Sequence, residues 1–190
     1  LFTKTMQIAS KHWRTFLVVA IAIYCTLRYL SFGIGFSGLD DFFVYYGATK
    51  AWSHNLSPYE LENIKNTLGI SIANRYVYTP LSLPILRVFS VFPEDIGRAL
   101  FVAVKFTSLI FIFYFWRKYL VPKTFSLPLF LILNYFILDR AILTDFSTGN
   151  ISIFETLFIT LGLVGLLKGK TTPLIIACMF MSFIKIYLIL

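Results

Sequence analysis

Two adjacent carboxylates, Asp40 and Asp41, follow a long apolar run and precede a segment rich in aromatic residues. At that boundary a carboxylate stands at the height of lipid headgroups, where it could take a proton from a hydroxyl, hold a cation, or simply cap the following helix. Capping by Asp41, with Asp40 solvated, is the plain alternative to chemistry. A second polar group, Arg140 and Asp145, flanks Ala-Ile-Leu-Thr close to Gly149 and Asn150. Either Arg140 snorkels and Asp145 caps the next helix, or both face the first carboxylates. Lys185 lies about 13 residues into the last apolar run, roughly 20 Å deep at about 1.5 Å per residue. A cation there needs a polar cavity or an anionic partner. Lys105 and Arg28 are also embedded, and each can snorkel outward or pair with a carboxylate. Tyr76, Tyr78, Thr79 and Pro80 open a run whose non-helical start is tolerable only beside protein or a water-filled cleft. Arg75 and His54 read as solvent-exposed loop residues. Metal-ligand spacing, a nucleophile elbow and a phosphate-cradling glycine loop are all absent, so the cofactor classes that leave short motifs have no support.

The elements that must hold these groups are hydrophobic helices. Hydrophobic residues make up 58% of the 190 positions and charged residues 14%, a balance expected of a chain whose solvent is a bilayer. Five runs have the length for crossing a hydrocarbon core of about 30 Å: 15–36, 98–116, 121–138, 150–167 and 172–190. A sixth, 76–92, contains Pro80, Pro84 and Arg87. If it crossed, Arg117, Lys118 and Lys123 would fall opposite the basic N-terminus of Lys4, Lys11 and Arg14, against the positive-inside rule. If it only dips in, those clusters and Lys168 with Lys170 share the cytoplasmic side. The acids, confined to positions 40–155, then fall on or near the outer face. The expectation is an all-α, polytopic transmembrane helix bundle of about five spans forming a single domain over 1–190. Its first external loop, about 37–97, carries an interfacial helix and a dipping segment. The chain stops inside an apolar run and reads as incomplete at its C-terminus.

Within that loop Phe42, Tyr45, Tyr46, Thr49 and Trp52 recur at spacings of three and four, one face of a helix. The helix is expected to open at Asp41, end near Asn55-Leu-Ser-Pro58, and lie on the membrane with its aromatics pointing into lipid. Cys25 and Cys178 each sit in an apolar run, as buried thiols do and disulfide frameworks do not. The formal charge of +8 flanks apolar runs, so membrane lipids, and no nucleic acid, are the expected partners.

The ordered features resemble a known family. Leu39-Asp-Asp-Phe-Phe-Val-Tyr-Tyr-Gly-Ala, Leu56-Ser-Pro-Tyr59, Tyr76-Val-Tyr-Thr-Pro80, Gly149-Asn-Ile-Ser152, Lys168-Gly-Lys170 and Phe183-Ile-Lys-Ile-Tyr187 resemble glycosyltransferase family 87. These are polyprenol-phosphate-mannose-dependent mannosyltransferases of the GT-C fold. The resemblance runs from Asp40 to the end and covers the N-terminal half of such an enzyme. Asn150 stands where glutamine is usual after Gly149, and Ile186 where proline is usual after Lys185.

The resemblance implies a membrane transferase that moves a sugar, mannose in that family, from a polyprenyl-phosphate donor to a lipid or glycan acceptor. Its site would open on the external face of a bacterial inner membrane. Asp41 becomes the catalytic base, with Asp40 as its fallback; Lys185, Arg140, Asp145, Tyr45, Tyr78 and Arg75 become the substrate-binding set. The chemistry agrees with the residues present: a carboxylate deprotonates the acceptor hydroxyl, and a cation meets the departing phosphate. A divalent metal shared by Asp41 and Asp145 is compatible with that scheme and is left unassigned. The rivals are a polytopic transporter, with Lys105, Lys185 and Asp145 lining a path, and a non-catalytic membrane subunit.

Overall fold

The computed structural model describes residues 2–35, 40–69 and 72–184. In the first helix the described side chains are Trp13 and residues 16–31, and in the second they begin at Asp41. Eight α-helices and no strand occur among the described residues: α1 Phe2–Gly35, α2 Asp40–Ser53, α3 Leu61–Leu68, α4 Ser82–Ser90, α5 Glu94–Phe115, α6 Leu127–Thr148, α7 Ser152–Leu167 and α8 Thr172–Ile184. A π-helical turn, Trp116–Leu120, continues α5.

Two stretches are long and apolar enough to cross a membrane, Glu94–Leu120 and Leu127–Thr148. In their most apolar windows only 33% and 11% of residues are covered by protein. That is unlike the core helix of a soluble domain, because Phe136 and Ile137 on α6 and Ile110 and Phe111 on α5 point away from the molecule. The apolar stretch Phe16–Ser31 and the helices α7 and α8 are shorter.

Side-chain pairs fix the helix directions. Tyr24 meets Tyr135 and Arg28 meets Asp139, so α1 and α6 run parallel. Lys105 meets Asp145 and Phe113 meets Phe130, so α5 opposes α6. Phe101 with Phe154 and Trp116 with Thr160 make α7 parallel to α5, and α8 returns against α7 through Phe158–Phe180 and the approach of Pro173 to Gly165. The order is therefore up, down, up, down, up for α1, α5, α6, α7 and α8. The chain between α1 and α5 folds back at one end. There α4, with 9 residues, is about 13 Å long at about 1.5 Å per residue, far short of a hydrocarbon core. Its three nonpolar anchors, Leu83, Leu86 and the partly buried Phe89, join the cluster around α2.

Two expectations from sequence need correction. The aromatic face of α2 does not point into lipid: Phe42, Tyr45, Tyr46 and Thr49 are buried in protein, and so are Val44, Ala48 and Ala51 on the other sides. A helix apolar all round is a core helix, and α3 and α4 supply the cover that a membrane surface was expected to give. Of that aromatic face only Trp52 stays exposed, stacked under Arg87. The third apolar run was expected to end at 138, with Arg140 and Asp145 beyond it. Instead α6 starts at Leu127 and continues to Thr148. Its charges are tolerated because Asp139 pairs with Arg28 at 2.9 Å and Asp145 with Lys105 at 2.5 Å. Cys25 is half-buried, but Cys178 is exposed on α8.

Candidate functional site

Asp41, in the first turn of α2, reaches the place where α6 ends and α7 begins. Gly149 terminates α6 in the left-handed conformation (φ 74°), and its N–H donates to the Asp145 carbonyl at 3.0 Å. A side chain at that φ would be strained, which is why glycine closes the helix. Asn150 follows and faces two ways. Its Oδ1 accepts from the Ile151 N–H at 2.7 Å and the Ser152 hydroxyl at 3.0 Å, fixing the turn that leads into α7. Its Nδ2 donates to Asp41 Oδ2 at 3.1 Å. Asp41 is half-buried.

Behind this hydrogen bond lies a buried ion pair. Lys105, fully buried on α5, places Nζ 2.5 Å from Asp145 Oδ1 and donates to the Asp145 carbonyl at 2.6 Å. The ammonium also lies 5.3 Å and 5.1 Å from the ring centres of Phe101 and Phe146, within cation–π range. Asp145 borders a cavity of about 150 Å³ between α5, α6 and α7, whose polar lining includes Ser152 and Thr156.

A ladder of tyrosines leads from this cluster to the surface. The Tyr45 and Tyr78 hydroxyls are 2.8 Å apart, Tyr78 packs on Tyr76, and Tyr76 on the exposed Tyr59. Burial pushes the Tyr45 hydroxyl far above the ordinary tyrosine range; the bond to Tyr78 and the nearby Asp41 and Asp145 carboxylates push the same way. Tyr45 therefore stays protonated and serves as a hydrogen-bonding group. Burial likewise raises Tyr76, whose hydroxyl is bonded to Ser82. The irregular segment 76–79 ends against α8: the Thr79 N–H donates to the Ile184 carbonyl at 3.4 Å and its hydroxyl to the Phe183 carbonyl.

Of the residues singled out from sequence, Asp41, Asp145, Tyr45 and Tyr78 come together. Arg140 does not: it is exposed on α6, and its neighbour Asp139 makes the ion pair with Arg28. Arg75 is also exposed, away from the cluster. Lys185 lies outside the described residues, and so does the side chain of Asp40. Sequence reasoning treated Lys105 as an embedded cation with two options and Asn150 as a motif departure. Their roles come from contacts 40 and 109 positions apart, although a lysine deep in an apolar helix and a lone aspartate near the next helix end were a readable pair of complementary charges.

A metal shared by Asp41 and Asp145 does not fit these side chains. The Lys105 ammonium occupies the cation position at Asp145, and no group of three or more histidine, cysteine, aspartate or glutamate residues suited to a metal occurs among the described residues. No protein-family model, curated protein or solved structure matches the chain.

Proposed function

We propose that this protein is a multi-pass membrane glycosyltransferase that takes a sugar, mannose by resemblance, from a polyprenyl-phosphate donor. Its site opens at the end of the bundle where α2, α6 and α7 meet. The observation that carries this reading is the aimed carboxylate: Asp41 is held by Asn150 at 3.1 Å and remains half-buried, with the charge behind it already neutralised in the Lys105–Asp145 pair.

In the proposed reaction Asp41 accepts the proton of an acceptor hydroxyl while that oxygen attacks the anomeric carbon of the donor sugar. The bond from that carbon to the phosphate oxygen breaks, and polyprenyl phosphate leaves with the electron pair. Tyr78, half-buried and bonded to Tyr45 at 2.8 Å, suits hydrogen bonding to a sugar. Lys185, which follows Ile184 in sequence, is assigned to the departing phosphate. The five alternating helices are proposed to cross the bacterial inner membrane, with the basic loops at 117–123 and 168–170 on the cytoplasmic side and α2 to α4 outside.

The experiment is transfer of labelled sugar from polyprenyl-phosphate donors by the protein in lipid vesicles. The wild type is expected to transfer; Asp41→Asn is expected to insert normally and lose about 10²–10⁴-fold in rate. Full activity of that variant would move the base to Asp40 or remove the reading. A coupled transporter is the second reading, favoured by one feature, the Lys105–Asp145 pair inside apolar helices. Solute flux across the same vesicles without sugar transfer would select it.

A further inference from the structure

We infer that Lys105 is a positioning residue for Asp41, acting through the last turn of α6. Lys105 is wholly buried, so it cannot touch a substrate. One of its contacts instead is a backbone atom on which two other hydrogen bonds converge. The Asp145 carbonyl accepts from Lys105 Nζ at 2.6 Å, from the Gly149 N–H at 3.0 Å and from the Asn150 N–H at 3.2 Å. That carbonyl sets where Asn150 emerges from the helix, and Asn150 donates to Asp41. The Asp145 carboxylate neutralises the ammonium that does the holding.

A second route reaches α2 from the same lysine. The ammonium lies over Phe101, and Phe101 packs at 5.2 Å on Phe42 and at 6.4 Å on Tyr45, next to and one turn beyond Asp41. Lys105 thus braces both the donor and the acceptor of the Asn150–Asp41 hydrogen bond. An ion pair kept only to join α5 and α6 would need the carboxylate contact alone; the bond to the carbonyl is what transmits to Asn150.

The inference rests on the proposed sugar transfer for its kinetic arm only. Asp145→Asn, in which Lys105 keeps its carbonyl partner, is the reference. Adding Lys105→Met removes the carbonyl bond without leaving a lone buried carboxylate. In the protein held in lipid nanodiscs, amide exchange at Gly149, Asn150 and Ile151 is expected to rise about tenfold over the reference. In the transfer assay kcat is expected to fall about 100-fold with KM within about threefold. Further addition of Asn150→Ala is expected to cost little more, since both changes break one chain of contacts. Unchanged exchange at 149–151, or full additivity with Asn150→Ala, overturns the inference. If the methionine variant does not fold, Lys105→Gln on the same reference retains an N–H donor and is expected to show a smaller rise in exchange at those three amides; none at all overturns the inference. If the wild type transfers no sugar, the functional reading falls and the exchange result decides this one alone.

Discussion

Asn150 Nδ2 donates to Asp41 Oδ2 across 3.1 Å of space and 109 positions of sequence, while Oδ1 of the same side chain accepts from the Ile151 N–H just before α7. The carboxylate is thereby tied to the frame of the helix bundle and not only to its own loop. Asn150→Ala is expected to lower kcat about 10- to 100-fold and to cost about 1 kcal/mol of stability through the lost hydrogen bonds to Ile151 and Ser152. Transfer kinetics and thermal unfolding of the same preparation check both. A stability loss with no kinetic effect would leave Asn150 a structural residue of the turn before α7.

Close packing of α2 depends on a missing side chain. A Cβ on Gly47 would lie 2.5 Å from Ile64 Cγ2 and 2.6 Å from Leu68 Cδ1, and Ile64 is fully buried. Gly47→Ala is expected to destabilise by about 1–3 kcal/mol. Gly97 is tighter still, because there the obstacle is the Phe89 backbone carbonyl, which cannot rotate away. Gly97→Ala should lower the unfolding temperature more than Gly47→Ala does.

Arg28 and Asp139 join α1 to α6 at 2.9 Å, with their side chains 27% and 17% exposed. Arg28→Met leaves the Asp139 carboxylate with the Tyr29 hydroxyl at 3.4 Å but without its cation, and is expected to cost about 1–3 kcal/mol. Arg28→Met with Asp139→Leu is expected to recover most of that loss. Unfolding of the single and double variants in detergent measures it.

Alkaline pH should reach the loop helices through their tyrosines. Tyr45 and Tyr76 have raised pKa values in the fold because they are buried, so the folded state keeps protons that the unfolded chain releases near its ordinary pKa of about 10. Stability from this source is fully present below about pH 10 and falls as pH rises above it. Unfolding temperatures measured across that range should decline less steeply for Tyr45→Phe and Tyr76→Phe than for the wild type.

The proposed orientation is testable with single cysteines, after replacing Cys25 and Cys178. An impermeant thiol reagent applied outside intact cells is expected to label Ser57→Cys and Asp95→Cys and to leave Lys123→Cys and Lys170→Cys unlabelled. The reverse pattern would invert the protein; labelling of Ser57 and Asp95 on opposite sides would make α4 a crossing.

The helical class and the two long apolar helices, Glu94–Leu120 and Leu127–Thr148, were legible apart from their bounds, because length and apolar content are local properties that a bilayer acts on directly. Asp41 and the Tyr45–Tyr78 pair were legible as candidates. The surroundings of α2 were not: a three-and-four aromatic spacing looks the same whether lipid or protein covers it, and α3 and α4 covering it is a long-range outcome.

By itself, then, the sequence determined which segments are helical and apolar, where the charges lie along them, and which residues have side chains fit for acid–base chemistry. Only the tertiary structure decided which charges meet. It carried α6 past Arg140 to Thr148, paired Lys105 with Asp145, put Asn150 on Asp41, and left Arg140 and Arg75 outside. The physical reason is that a charge in an apolar helix states a need for a partner without naming one, and the partner is chosen by how helices pack.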